Sequence, residues 1–246
     1  MKGDIIIHIV VAIFQGLYEL YYEVFIRRKL EPYLRKYSSY YVNLRENRAE
    51  FKRMVWQFIR ENEFIAREDL TIKLPLKVMI AAHAVQLSFR LSENAYDFYE
   101  KIIVYKDYYL SRFTKKYHKA EVNPGLKVIV FSVRAIYESI QKKDDGLNVL
   151  LHEFAHALWL EQLLMHREYN VFEPRGFQAV QRLISTEIER HRQDQTHFFR
   201  KYAFANEAEF FAVAVENFFE RPAEFRAQAP VMYEYIARLF RFDPLR

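Results

Sequence analysis

The chain has 246 residues, 51% of them hydrophobic, with 37 Lys+Arg against 32 Asp+Glu and no cysteine. That length and apolar fraction suit one domain with a sizeable core and exclude intrinsic disorder. The lack of cysteine excludes disulfides, thiolate metal clusters and a cysteine nucleophile, so a metal must sit on His, Asp or Glu; a net charge of +5 spreads over a surface this large without implying nucleic acid.

The run Ile5–Phe14 is almost continuously apolar and continues to Ile26 through Gln15, Glu19 and Glu23, before Arg27-Arg28-Lys29. A spanning helix needs about 20 apolar residues, and acidic residues within one are costly. Three readings stand: a single anchor whose basic flank keeps the body cytoplasmic, an amphipathic helix lying on the membrane, and a helix packed on protein. The expectation is a cytoplasmic protein with membrane contact through residues 5–26. Residues 1–40 form the N-terminal apolar helix and a link, and residues 41–246 the main domain. The link is polar and aromatic, Pro32 to Tyr41.

Helical spacing follows in Asn47–Glu61 (Phe51, Met54, Val55, Phe58, Ile59) and in Leu76–Leu91. Lys101–Tyr105 (KIIVY) and Leu126–Phe131 (LKVIVF) are short apolar runs, the second after the turn Asn123-Pro124-Gly125; both read as strands of one small sheet. Further helices are expected at Ser132–Ser139, Val149–Met165, Gly176–Arg192 and Asn206–Phe219, with one or two more in Pro222–Phe240. The fold class is α+β, helix-rich around a small β-sheet, with the apolar N-terminal helix in front.

The chemistry concentrates in His152-Glu153-Phe154-Ala155-His156, an HExxH sequence. On a helix, residues four apart share a face, so both imidazoles can reach one Zn²⁺. Glu153 is offset by one position, where it can deprotonate a water rather than bind the metal. The surrounding Leu147, Val149, Leu150, Leu151, Phe154, Ala155 and Leu158 make a buried helix, and a buried His-Glu-His group needs a compensating partner.

A catalytic zinc takes three protein ligands and keeps one open position. The best third candidate is Glu209, which precedes the apolar stretch Phe210-Phe211-Ala212. Asn206 three residues earlier also makes it half of a capping box. Glu207 and Glu216 are rival ligands, Glu216 alternatively supporting a ligand from behind or forming a surface pair. His166, His191 and His197 are further candidates.

These residues carry a family resemblance. Asn148-Val149-x-x-His152-Glu153-Phe154-Ala155-His156, then Tyr202, then Asn206-x-Ala208-Glu209-Phe210-Phe211-Ala212-Val213 resemble the Mlc titration factor A family of zinc-dependent peptidases. Glu216-Asn217-Phe218-Phe219-Glu220-Arg221-Pro222, and earlier Phe64-Ile65 and Val78–Ala84, agree with it, so the likeness covers roughly Tyr41 to Pro244. The piece from Tyr202 to Ala212 is also similar to the anthrax lethal factor catalytic domain. The resemblance implies a zincin-like metallopeptidase fold, one zinc on His152, His156 and Glu209, Glu153 as general base, Tyr202 as the oxyanion-stabilising hydroxyl, and a peptide or protein substrate. It also implies a regulatory protein partner, a transcriptional repressor. Three departures stand out. Trp159 replaces an Asp often found three residues after the second His, so that any supporting role of that Asp is lost or supplied by Glu161; Val213 replaces a glutamate of lethal factor; and the apolar leader is extra.

Leu126–Phe131, just ahead of the metal helix, offers an edge for an extended substrate, or is simply a core strand. The alternative to an enzyme is a non-enzymatic zinc-containing interaction module that binds a protein partner. Nucleic acid is not an expected partner, since Lys115-Lys116 and Lys142-Lys143 stand without a recognition motif.

Overall fold

The computed structural model describes residues 16–17, 20–21, 25–92, 94–111, 115–142, 145–165, 170–193 and 197–246. The apolar run Ile5–Phe14, Lys143 and His166 lie outside these. Among the described residues no helix is long and apolar enough to cross a membrane.

Helix α1 spans Arg27–Tyr37. Leu30 and Leu34, one turn apart, are fully buried, with Ile26 preceding them. The stretch expected as a link from Pro32 is therefore partly helix, because the buried stripe outweighs the one backbone hydrogen bond that Pro32 removes inside α1. A polar junction adds to this. Glu31 accepts from Tyr41 Oη at 2.6 Å and from Lys52 Nζ at 2.9 Å. Burial pushes its carboxyl up, but these bonds win and hold it at about 2. Lys52 belongs to α3 (Arg48–Glu61), and the short α2 (Ser39–Asn43) lies between.

The sheet places β1 (Glu63–Ala66), β2 (Lys101–Tyr105), β6 (Val128–Ser132) and β5 (Ala120–Asn123) side by side in that order. The first three run parallel and β5 is antiparallel to β6. The two strands read from the sequence are neighbours, Lys101 level with Val128 and Tyr105 with Ser132. Strand alternation sorts the side chains. Ile102, Val104, Ile129 and Phe131 enter the main core, while Ile103, Tyr105, Val128 and Val130 turn to the other face under Tyr109. Tyr109 belongs to a hairpin of β3 (Tyr109–Leu110) and β4 (Tyr117–His118). The strand expected to receive a substrate is not available for it: β6 is hydrogen-bonded on both sides, and the antiparallel edge belongs to β5.

Over the main-core face pack α4 (Leu74–Ser88) and α6 (Val149–Leu164). Both are apolar nearly all round, as helices between two layers must be. Phe154 of α6 sits among Phe58, Tyr96 and Phe131 at ring distances of 5.8, 5.2 and 5.5 Å. The chain continues through α5 (Val133–Gln141) before α6, then α7 (Pro174–Gln193), a 3₁₀ turn (Lys201–Ala205), α8 (Glu207–Glu220), α9 (Pro222–Gln228) and α10 (Pro230–Phe240). Part of the aromatic excess fills the seam between α6, α7, α8 and α10: Trp159 packs on Phe177 and Phe211, and Phe172 on Phe177, Phe211 and Phe240.

Glu161, buried on α6, accepts from Tyr96 N at 2.8 Å and Phe98 N at 2.9 Å, pinning the loop between α4 and β2. Burial pushes this carboxyl from its ordinary 4.5 up to about 7, against the two backbone bonds. The folded chain thus binds the proton more tightly than the unfolded one. The resulting stability is fully present below about pH 4.5 and is lost as pH rises to about 7. Urea unfolding across that window should show the wild type losing up to about 3 kcal/mol relative to Glu161→Gln; parallel stability curves would disprove the assignment.

Candidate metal centre and active site

Two helices build the centre. Asn148 starts α6, its Oδ1 accepting from Leu150 N and Leu151 N at 3.1 Å each. His152 and His156 then fall one turn apart on the face toward α8. Asn206 starts α8 in the same way, accepting from Glu209 N at 3.0 Å. Only half of a capping box forms, because the Glu209 carboxylate turns to the histidines instead of back to the cap.

The His152 and His156 Nε2 atoms are 3.1 Å apart, and Glu209 Oε2 lies 3.2 Å from the first and 3.3 Å from the second. Ligands at zinc–nitrogen and zinc–oxygen distances around a tetrahedral ion stand about 3.3 Å from one another. One ion therefore fits over this triangle. Glu209 Oε2 is buried and accepts no well-formed hydrogen bond from the protein, an orphaned acceptor that a cation satisfies. Its sister oxygen Oε1 accepts from Tyr202 Oη at 2.8 Å. The phenol thus leaves Oε2 alone to face the imidazoles. His152, His156 and Glu209 form a cluster able to hold a single Zn²⁺.

Behind the triangle stands Glu216. Its Oε1 accepts from His152 Nδ1 at 2.5 Å. An ionised carboxylate can only accept, so the His152 proton sits on Nδ1 and the Nε2 lone pair faces inward. Arg200 grips Glu216 with both guanidinium nitrogens, at 2.7 and 3.2 Å, and also donates to the Gly146 carbonyl at 2.8 Å. Asn148 N donates to Glu216 Oε2 at 2.9 Å, and Asn148 Nδ2 to Glu220 at 2.9 Å. Gly146 has φ +70°, and a Cβ there would meet Asn217 Oδ1 at 2.8 Å, so this turn favours glycine.

The electrostatics follow. Before an ion binds, burial opposes charging of His152, but the carboxylates of Glu209 and Glu216 outweigh it and push the imidazole up to about 10; a metal takes the place of the second proton, on Nε2. Glu209 is held well below the usual carboxylate range: burial works against this, and the two histidines prevail. Burial raises Glu153, with the two imidazoles pulling the other way. Burial and the bond to Glu209 raise Tyr202, so the phenol keeps its proton.

The other candidates go elsewhere. Glu207 accepts from Ser185 Oγ. His191 stacks on Phe204, and His197 packs against the same ring at a tilt. Of the two alternatives for the missing Asp, Glu161 does not supply its role: it serves the loop at Tyr96 and Phe98, and Trp159 is buried among aromatics. The supporting carboxylate is Glu216. Arg200 was not singled out in the sequence, although a buried Glu216 calls for a nearby cation.

Residues 20–241 match the family described as glucose-regulated metallo-peptidase M90. Over 215 residues the chain is 23% identical to the "Uncharacterized protein slr2042" of Synechocystis sp., an alignment covering 81% of this chain and 78% of that protein.

Because Glu216 both orients His152 and raises its basicity, Glu216→Gln should weaken zinc binding about 10- to 100-fold. Chelator competition on the purified proteins reads this directly; unchanged affinity would remove Glu216 from the centre.

Proposed function

The chain belongs to the glucose-regulated metallo-peptidase M90 family, and on that premise we propose that Glu153 is the general base and Tyr202 the oxyanion donor of its peptide hydrolysis. The family and the His152, His156, Glu209 cluster make it a zinc-dependent peptidase with a peptide or protein substrate. The observation that carries the proposal is the meeting of that cluster with a buried carboxyl one residue past its first histidine.

Zinc held by the triangle would polarise the scissile carbonyl and bring the pKa of a water toward neutrality. Glu153 lies on the same turn, within electrostatic reach of both imidazoles, Glu209 and Glu216. Its Oε takes the proton of the attacking water. A carboxyl whose proton affinity burial has raised keeps that proton long enough to deliver it to the leaving amine nitrogen. Tyr202 stays protonated, half in solvent at 54% exposure, with its hydroxyl on Glu209. Turning from Glu209 toward the reacting carbonyl, it donates where negative charge develops. The antiparallel edge strand β5 favours an extended substrate laid along it. For location the reading is the cytoplasmic side, at the membrane face suited to residues 5–26 and the basic triplet after them.

Glu153→Gln should keep one zinc per chain and lower peptide hydrolysis about 10²- to 10⁴-fold. A purified variant with near wild-type turnover would sink the general-base role. Tyr202→Phe should lower kcat about 10²- to 10³-fold while KM stays put; a change confined to KM would make Tyr202 a binding residue only. A wild type that holds zinc and cleaves nothing in a broad peptide library would point to the interaction module.

A further inference from the structure

Around the start of α1 the described side chains divide into buried and exposed sets. At the helical period, Ile26, Leu30 and Leu34 share one side, and all three are buried in the core. Leu17, Leu20, Tyr21 and Phe25 are 58%, 61%, 50% and 54% exposed. Tyr21 and Phe25 lie beside each other with ring centroids 5.5 Å apart. Four large exposed apolar side chains within nine residues are a cluster rather than the scattered exposure that is ordinary on a protein surface. Arg28 and Lys29, both exposed, follow it directly. Ahead of it the sequence Ile5–Phe14 is apolar except for His8.

We propose that the face formed by Leu17, Leu20, Tyr21 and Phe25, edged by Arg28 and Lys29, docks onto an anionic lipid bilayer while Ile26, Leu30 and Leu34 stay in the core. This rests on the membrane location inferred above and adds the surface that makes the contact. An apolar face bordered by cations matches the hydrocarbon boundary beneath acidic headgroups. The amphipathic ring of Tyr21 suits the interface. The cations favour a bilayer over a second copy of the chain, whose same patch would bring like charges together. Ile26, Leu30 and Leu34, which follow Phe25 directly in sequence, are buried, so the Phe25 end of the docking face lies close to the domain.

The full chain should co-sediment with phosphatidylglycerol–phosphatidylcholine vesicles and much less with phosphatidylcholine alone. Arg28→Gln with Lys29→Gln should weaken binding about fivefold per charge at low salt, an effect that fades as salt rises. Leu20→Gln with Phe25→Gln should abolish most of it at any salt. Both pairs are exposed, so melting temperature and peptide hydrolysis should match the wild type. If the wild type itself fails to sediment, the membrane location falls. If it sediments and both double variants bind as well, the location stands and this docking face is wrong. A wild-type dimer that the Leu20/Phe25 variant dissolves, with no vesicle binding, assigns the patch to a second copy and overturns the proposal.

Discussion

Two carboxylates, Glu209 and Glu216, meet His152 from opposite sides, and the surrounding structure answers that arrangement. They sit seven residues apart on α8, one on each ring nitrogen of the imidazole. Placing two negative charges in a largely buried seam is costly without compensation. Arg200 compensates one of them through a bidentate grip. The other keeps an oxygen without a proper donor, which is where a cation belongs. The N-terminus of α6 is drawn into the same arrangement, since the Asn148 amide also bonds Glu216. Orientation of the ligand, charge balance and the start of the metal helix are thus handled by one group of side chains.

Much of the centre was legible in the sequence because it is helical. Four-residue spacing put His152 and His156 on one face, and a glutamate on the inward side of Phe210-Phe211-Ala212 called for a cation. The supporting layer was less legible. Glu216 offered several roles, and only the packing of α8 on α6 selects the one behind His152. Arg200 comes from an irregular segment with no periodicity to place it. Glu161 was one alternative for a supporting group near the metal, but it lies further along α6 and bonds the amides of Tyr96 and Phe98.

The sheet shows the same division. Lys101–Tyr105 and Leu126–Phe131 stood out as continuous apolar runs, as strands covered by neighbours do. The edge strands β1 and β5, with the sequences EFIA and AEVN, are only four residues long, so they carried little signal. Missing β5 is what made β6 look like an open edge. At Pro32 a local rule for loops yielded to Leu30 and Leu34, whose burial continues the helix past the proline.

The Gly146 turn and Arg200 bear on how the chain assembles. His152 and Glu209 are far apart in sequence, and the guanidinium that steadies the centre reaches back across the intervening segment to the carbonyl at the foot of α6. Neither helix alone holds all three ligand atoms. Closing that long loop costs entropy that α6–α8 packing must repay before the ligands can meet. High-affinity metal capture is therefore a late event in folding, and a nascent or partly unfolded chain is a poor competitor for zinc.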